Sequence, residues 1–141
     1  MKMKINIAFF LLCWMANIAI AQSPIGTWKT IDDETGEEKS HVEIYEKDGK
    51  LFGKITKLLN ASSTTCSNCS GDRQGKPLVD LVILWDMEKK GDVWKGGKIF
   101  SPTKDKEYRC KIWFDDGKGA ALKVRGYYFG FFRTQTWFRV S

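Results

Sequence analysis

Three cysteines, one histidine and two Asp-Asp pairs are the first residues beyond the N-terminal segment to weigh for chemistry. Cys66-Ser67-Asn68-Cys69 has the C-x-x-C spacing of a redox or metal motif, and Cys110 is the third cysteine. A thiol–disulfide enzyme needs a thiol of lowered pKa, usually set by a helix N-terminus and a nearby cation. The flanking Ser62-Ser63-Thr64-Thr65 and Gly71-Asp72 predict a loop instead. Zinc wants four ligands, and three cysteines with His41 reach that number only without the second paired motif of a structural site, so no metal is expected. Covalent haem is excluded because Ser70 follows Cys69 where a histidine would be required. In an oxidising compartment Cys66 and Cys69 could pair with each other, one of them could bridge to Cys110, or the thiols could stay free, and the sequence leaves these open. Any Ser/His or Cys/His hydrolase must use His41, which lies at a strand start beside Ser40 and Glu43 and reads more simply as a surface imidazole. Asp32-Asp33 and Asp115-Asp116 fall in turns, where carboxylates set hairpin geometry. No catalytic constellation emerges, so the expectation is a non-enzyme without a cofactor.

The other candidates are polar and aromatic side chains carried on strands: Trp85, Trp94, Lys98, Tyr108, Arg125, Arg133 and Gln135. A few such groups facing an apolar lumen would orient an amphipathic ligand by its anionic head. The competing reading has Arg125 and Arg133 outward and solvated, and the interior filled by its own aromatics, because eight strands enclose a space barely wider than their side chains.

These residues belong to a chain of 141, 43% hydrophobic and 13% aromatic, in the range of globular proteins. Its start reads as a leader: Met1-Lys2-Met3-Lys4, then an apolar run from Ile5 to Ile20, then Ala19-Ile20-Ala21 in small-x-small form. The run is too short to read as a spanning helix. Cys13 follows Leu12, where a lipid-attachment site would want a small residue. Cleavage after residue 21 leaves Gln22–Ser141, whose 21 Lys+Arg against 17 Asp+Glu lower the formal charge from +6 to +4. Charges are spread as mixed-sign groups, as in Glu37-Glu38-Lys39, Glu46-Lys47-Asp48 and Lys104-Asp105-Lys106-Glu107, so no nucleic-acid partner is expected. The mature chain is expected to be exported, periplasmic or secreted, with no stable membrane insertion.

From Ile25 onward, short period-two runs alternate with turn residues, and no apolar stripe of helical period is long enough for a helix. The predicted strands are Ile25–Ile31, Ser40–Lys47, Lys50–Leu59, Leu78–Trp85, Val93–Phe100, Glu107–Phe114, Ala120–Tyr128 and Phe131–Val140. Asp48-Gly49 and Asp116-Gly117 supply the positive φ of tight hairpins, and Pro102 ends a strand. Eight strands in a meander predict an all-β, antiparallel up-and-down barrel, since closure removes exposed edges; a two-sheet sandwich is the rival. Alternation turns Tyr108, Cys110, Ile112, Phe114, Leu122 and Val124 inward. The exception to short links is the polar loop 60–76 that carries the cysteine pair.

Gly26-Thr27-Trp28 in the first strand, with Trp137-Phe138-Arg139 in the last, resembles the lipocalin and fatty-acid-binding barrels. That resemblance implies that Gly26, Trp28, Trp137 and Arg139 close one end of the barrel, with Arg139 against the Trp28 indole in a cation–π contact of about 0.5–2 kcal/mol. The order of Gly26-Thr27-Trp28, Cys66-x-x-Cys69, Gly75-Lys76-Pro77-Leu78, Trp94-Lys95-Gly96-Gly97-Lys98-Ile99, Tyr108-Arg109-Cys110, Leu122-Lys123-Val124-Arg125-Gly126 and Arg133-Thr134-Gln135-Thr136-Trp137-Phe138-Arg139 is similar to the exported bacterial family called domain of unknown function 2147. The similarity spans essentially all of the mature chain and implies a small lipocalin-like barrel of Gram-negative envelopes, with no activity attached. The resulting expectation is a barrel that binds a small apolar or amphipathic molecule. The alternatives are an envelope protein-interaction module with a filled barrel, and a C-x-x-C thiol–disulfide protein.

Overall fold

The computed structural model describes residues 22–115 and 117–141. The expected leader at 1–21, with Cys13, and Asp116 of the predicted Asp116-Gly117 turn lie outside the described residues. Eight strands follow in order: β1 (Gly26–Ile31), β2 (Glu38–Lys47), β3 (Lys50–Leu58), β4 (Val82–Lys90), β5 (Val93–Ser101), β6 (Lys106–Phe114), β7 (Ala121–Tyr128) and β8 (Phe131–Arg139). Each pairs antiparallel with the next, and β1 pairs with β8, so the sheet is a closed barrel. Closure at this seam rules out the sandwich. It is short in register, Trp28 with Arg139 and Lys29 with Phe138, and is extended by Thr27 N–H donating to the Ser141 carbonyl at 2.9 Å.

Seven strands lie within two residues of their predicted ends. The fourth differs: the expectation was Leu78–Trp85, and the strand is Val82–Lys90. The apolar Leu78-Val79 pair belongs to a turn, in which Asp80 has φ 72° and Leu81 N–H donates to the Leu78 carbonyl at 3.1 Å. The charged run Glu88-Lys89-Lys90 pairs with Lys95, Trp94 and Val93 because its side chains need only one solvated face. Between those parts the ladder is irregular. Asp86 has φ 57°, and the β5 register shifts between Lys95 and Lys98. A Cβ on Gly97 would overlap the Trp85 carbonyl oxygen, so glycine is the residue that fits this crossing.

Inward side chains divide the barrel into two halves. The end carrying the β2–β3, β4–β5 and β6–β7 turns is packed by Trp28, Ile44, Leu51, Met87, Trp94, Ile112 and Leu122, all buried. Cys110, Ile112, Leu122 and Val124 are buried as the alternation requires. The opposite end opens to solvent beneath the β1–β2, β3–β4, β5–β6 and β7–β8 connections.

Candidate functional site

The open end holds a cavity of about 370 Å3 to which all eight strands contribute wall residues. Alternation sets the lining. Ile55, Ile83, Phe100 and Val124 give an apolar wall, and Trp137, 1% exposed, forms the floor. Thr30 and Ser40 occupy inward positions of paired strands, and their hydroxyls meet at 2.8 Å, a buried polar couple in a mostly apolar chamber. Trp137 Nε1–H donates to Gln135 Oε1 at 3.0 Å, which orients the floor indole.

The rim is charged and internally compensated. Arg133, at the mouth end of β8, donates through Nε to Asp33 at 2.9 Å and pairs with Glu34, both in the β1–β2 turn. Glu34, then Asp33, hold its guanidinium more firmly protonated than usual. Gln135 Nε2 reaches the other Asp33 oxygen at 3.5 Å. Asp32 anchors the same turn by accepting from Thr35 and Glu34 N–H at 2.9 Å each; the Thr35 bond is the main cause that holds its carboxyl below 3.8, against a smaller opposing effect of burial. Lys104 of the β5–β6 connection lies 3.7 Å from Glu34. An anionic group entering here would compete with two carboxylates for Arg133.

The long connection also lies over the mouth. Cys66 and Cys69 are joined as a disulfide, Cα atoms 5.3 Å apart, and both are buried. Cys66 N–H donates to the Lys76 carbonyl at 2.7 Å, and Leu78 N–H to the Thr64 carbonyl at 2.9 Å, so the loop closes on itself around a single 3-10 turn at Gly71–Arg73. Arg73 fastens it to the wall: its guanidinium lies 4.0 Å over the Phe100 ring and 5.4 Å over Trp85, and it bonds Glu107 at 3.0 Å. Among the described residues Cys110 is the free cysteine, and burial pushes its thiol up to about 12.

Of the ligand-contact residues expected from sequence, Tyr108 and Arg133 border the cavity, as does Gln135. Trp85 sits beneath Arg73, outside the chamber. Trp94 is buried in the packed half, its ring edge-on to Phe114 at 5.8 Å. Lys98 is on the outer wall, 3.7 Å from Glu107, and Arg125 lies outside between Trp113 and Phe132 at 4.9 and 4.4 Å. Of the four closure residues, three meet at the packed end. Arg139 lies 4.3 Å over the Trp28 ring, and a Cβ on Gly26 (φ 142°) would overlap the Ser141 carbonyl oxygen. Trp137 is instead the cavity floor. The Thr30–Ser40 couple was missed, although its signal was present: each is a polar residue at an inward step, two along from Trp28 and Val42. Arg73 carries no sequence signal, since its partners come from β4, β5 and β6.

Among the described residues, no three of His, Cys, Asp and Glu converge on a point that could hold a metal ion, and no helix is long and apolar enough to cross a membrane.

The chain belongs to the family described as uncharacterized protein conserved in bacteria (DUF2147), which matches residues 26–139. No curated protein matches it. Among solved structures it is similar to protein HP1028 from the human pathogen Helicobacter pylori, described as belonging to the lipocalin family. The two are 21% identical with a TM-score of 0.73, covering 85% of this chain and 84% of that one. At this identity the likeness is one of fold.

Proposed function

We propose that this lipocalin-like barrel binds a small, largely apolar molecule with a neutral polar head, and catalyses nothing. The observation that carries the reading is the half-hollow interior: a chamber of about 370 Å3 walled by all eight strands, within the ~300–1,000 Å3 of ligand pockets and near their lower end. Its polar groups are few and placed, the Thr30–Ser40 couple and Gln135, while Arg133 is already neutralised by Asp33 and Glu34. The absence of catalysis is supported by the cysteine pair, whose sulfurs are bonded to each other and buried, and by a lone His41.

The test is titration with N-phenyl-1-naphthylamine, a neutral apolar fluorophore of suitable size. Saturable one-to-one binding, displaced by a medium-chain fatty alcohol, is expected. Val124→Phe, which fills the chamber from β7, should weaken it by about tenfold or more, the effect of a few kcal/mol of lost burial. Absence of saturable binding, or a Val124→Phe variant that binds normally, overturns the reading. Ile83→Phe from the opposite wall serves if Val124→Phe misfolds.

The same proposal places the protein outside the cytoplasm, on the leader-like start and the disulfide. N-terminal sequencing of protein from its own host should begin at Gln22; a retained Met1 contradicts it. The envelope interaction alternative draws on exposed aromatics, and these lead to a different partner.

A further inference from the structure

The β7–β8 turn exposes Phe129 at 85%, Phe131 at 79%, Phe132 at 58% and Tyr128 at 41%. A two-residue hairpin of this kind wants positive φ at both central positions, which Asn-Gly or Asp-Gly supply. The β2–β3 turn follows that rule with Asp48 and Gly49, at φ 53° and 77°. Here the centre is Phe129 and Gly130, at 45° and 81°. A bulky residue in the left-handed region carries backbone strain, and such strain persists where it serves a site. The chain keeps an aromatic at the outermost point of the hairpin against local preference.

Charge is the second, independent observation. From Gly117 to Ser141 the sequence has Lys118, Lys123, Arg125, Arg133 and Arg139 and no Asp or Glu. On the outer faces of β6, β7 and β8, the register sets Arg109 opposite Tyr127, Lys111 opposite Arg125, Trp113 opposite Lys123, and Tyr127 opposite Phe132. Lys123 reaches Asp115 at 3.8 Å, whereas Arg109, Lys111 and Arg125 have no ion pair among the described residues. Two of the three lie on rings, Lys111 over Trp113 at 5.4 Å and Arg125 over Phe132 at 4.4 Å, and Lys106 lies over Tyr128 at 5.1 Å.

We infer that this hairpin is a membrane-docking element. Phe129, Phe131 and Phe132 enter the interface of a bilayer containing anionic lipid, while Arg109, Lys111, Lys123 and Arg125 face its head groups. Arg125 stands four residues behind Phe129, about 13 Å along an extended strand. Head groups lie at that distance behind a tip seated ~5–10 Å deep, and rings followed by cations is the order of layers at such a surface. A second copy docked two-fold on this face would set like charges against each other. Docking also turns the cavity mouth toward the lipid, since Tyr128 touches Tyr108 of the chamber wall at 5.7 Å. The inference stands whether or not the chamber holds a ligand.

Co-sedimentation with vesicles of phosphatidylethanolamine and phosphatidylglycerol, against phosphatidylcholine alone, tests it. The chain should bind the anionic vesicles preferentially, and less as salt is added. Phe129→Ser with Phe131→Ser should lower partition by about tenfold or more, and Lys111→Gln with Arg125→Gln should weaken the preference for phosphatidylglycerol by about tenfold or more. Phe129→Asn relieves the turn, so it should raise the thermal midpoint while lowering vesicle binding, and those opposite signs separate a lost anchor from a damaged fold. Unchanged binding by the Phe129→Ser/Phe131→Ser variant, no binding to either vesicle, or a dimer that this variant dissolves in the absence of vesicle binding, each overturns the inference. Naphthylamine binding measured on the same variants shows that the chamber is intact, which keeps failure here distinct from failure of the ligand reading.

Discussion

Arg139 ties the segment before β1 to the β6–β7 connection with one side chain. Its guanidinium covers the Trp28 ring and donates to the carbonyls of Gly119 at 2.7 Å, Ser23 at 2.7 Å and Ile25 at 3.2 Å. Arg139→Ala removes the cation–π contact and leaves three carbonyls to find water at a partly exposed site, so a loss of about 1–3 kcal/mol in urea unfolding is expected. Arg139→Lys, with a point charge that cannot span these acceptors, should fall between native and Ala. Cys110 presents the converse case, a buried group defined by what it cannot do. Its folded pKa of about 12 stands above the 9.0 of an unperturbed thiol. The unfolded chain therefore releases this proton first. The stability Cys110 contributes is complete below pH 9 and falls as pH rises from there toward 12. Native protein should leave this thiol unmodified by iodoacetamide at pH 8 and modify it in urea, as peptide mapping of Cys110 would show; Cys110→Ala should flatten the decline of the urea midpoint above pH 9.

At the scale of elements, the β1–β2 turn acts as a strap from β1 across the mouth to β8. Asp32 builds the turn, and Asp33 and Glu34 fasten it to Arg133. Because the Asp32 carboxyl is held below 3.8, its contribution is present above that value and is lost as pH falls through the lower folded one. A carboxyl NMR titration should place Asp32 below 3.8, and Asp32→Ala should speed amide exchange at Glu34 and Thr35; a normal midpoint with unchanged exchange would remove Asp32 from this role. The strap also shows what a single sequence discloses. Period-two alternation and turn residues made the strands, the meander and the inward faces of β6 and β7 legible, because those depend on neighbours two residues apart. The β4 boundary was not legible, since a bulge at Asp86 and a turn at Asp80 break the period that would reveal it. Trp85, Trp94, Lys98 and Arg125 are on strands as expected, yet which end or face each occupies depends on the irregular β4–β5 crossing and on partners far along the chain, such as Arg73 and Phe132. Arg133 was recognisable as a candidate, whereas the two carboxylates that neutralise it are a hundred residues away in sequence.

The molecule as a whole is a barrel packed at one end and hollow at the other, and this asymmetry sets where the fold is most stable and where the proposed ligand would add to it. Side chains from β1 through β7 fill the half around Trp28, where each fully buried Ile or Leu contributes about 1.5–3 kcal/mol. Around the chamber the same strands give up part of that packing, so local opening should cost less there. Hydrogen exchange is expected to divide single strands: amides near Ile112 and Leu122 exchange through global unfolding, and those near Tyr108 and Gly126, on the same β6 and β7, through smaller openings. A ligand that binds only the folded barrel adds RT ln(1 + [L]/Kd), about 2.7 kcal/mol at a hundredfold excess over Kd. Because it touches only the hollow half, saturating naphthylamine should slow exchange at the mouth amides until they approach those of the packed half. Uniform protection along β6 and β7 before ligand is added would mean that the two halves do not differ in stability. Slowing confined to the packed half would place the ligand somewhere other than the chamber.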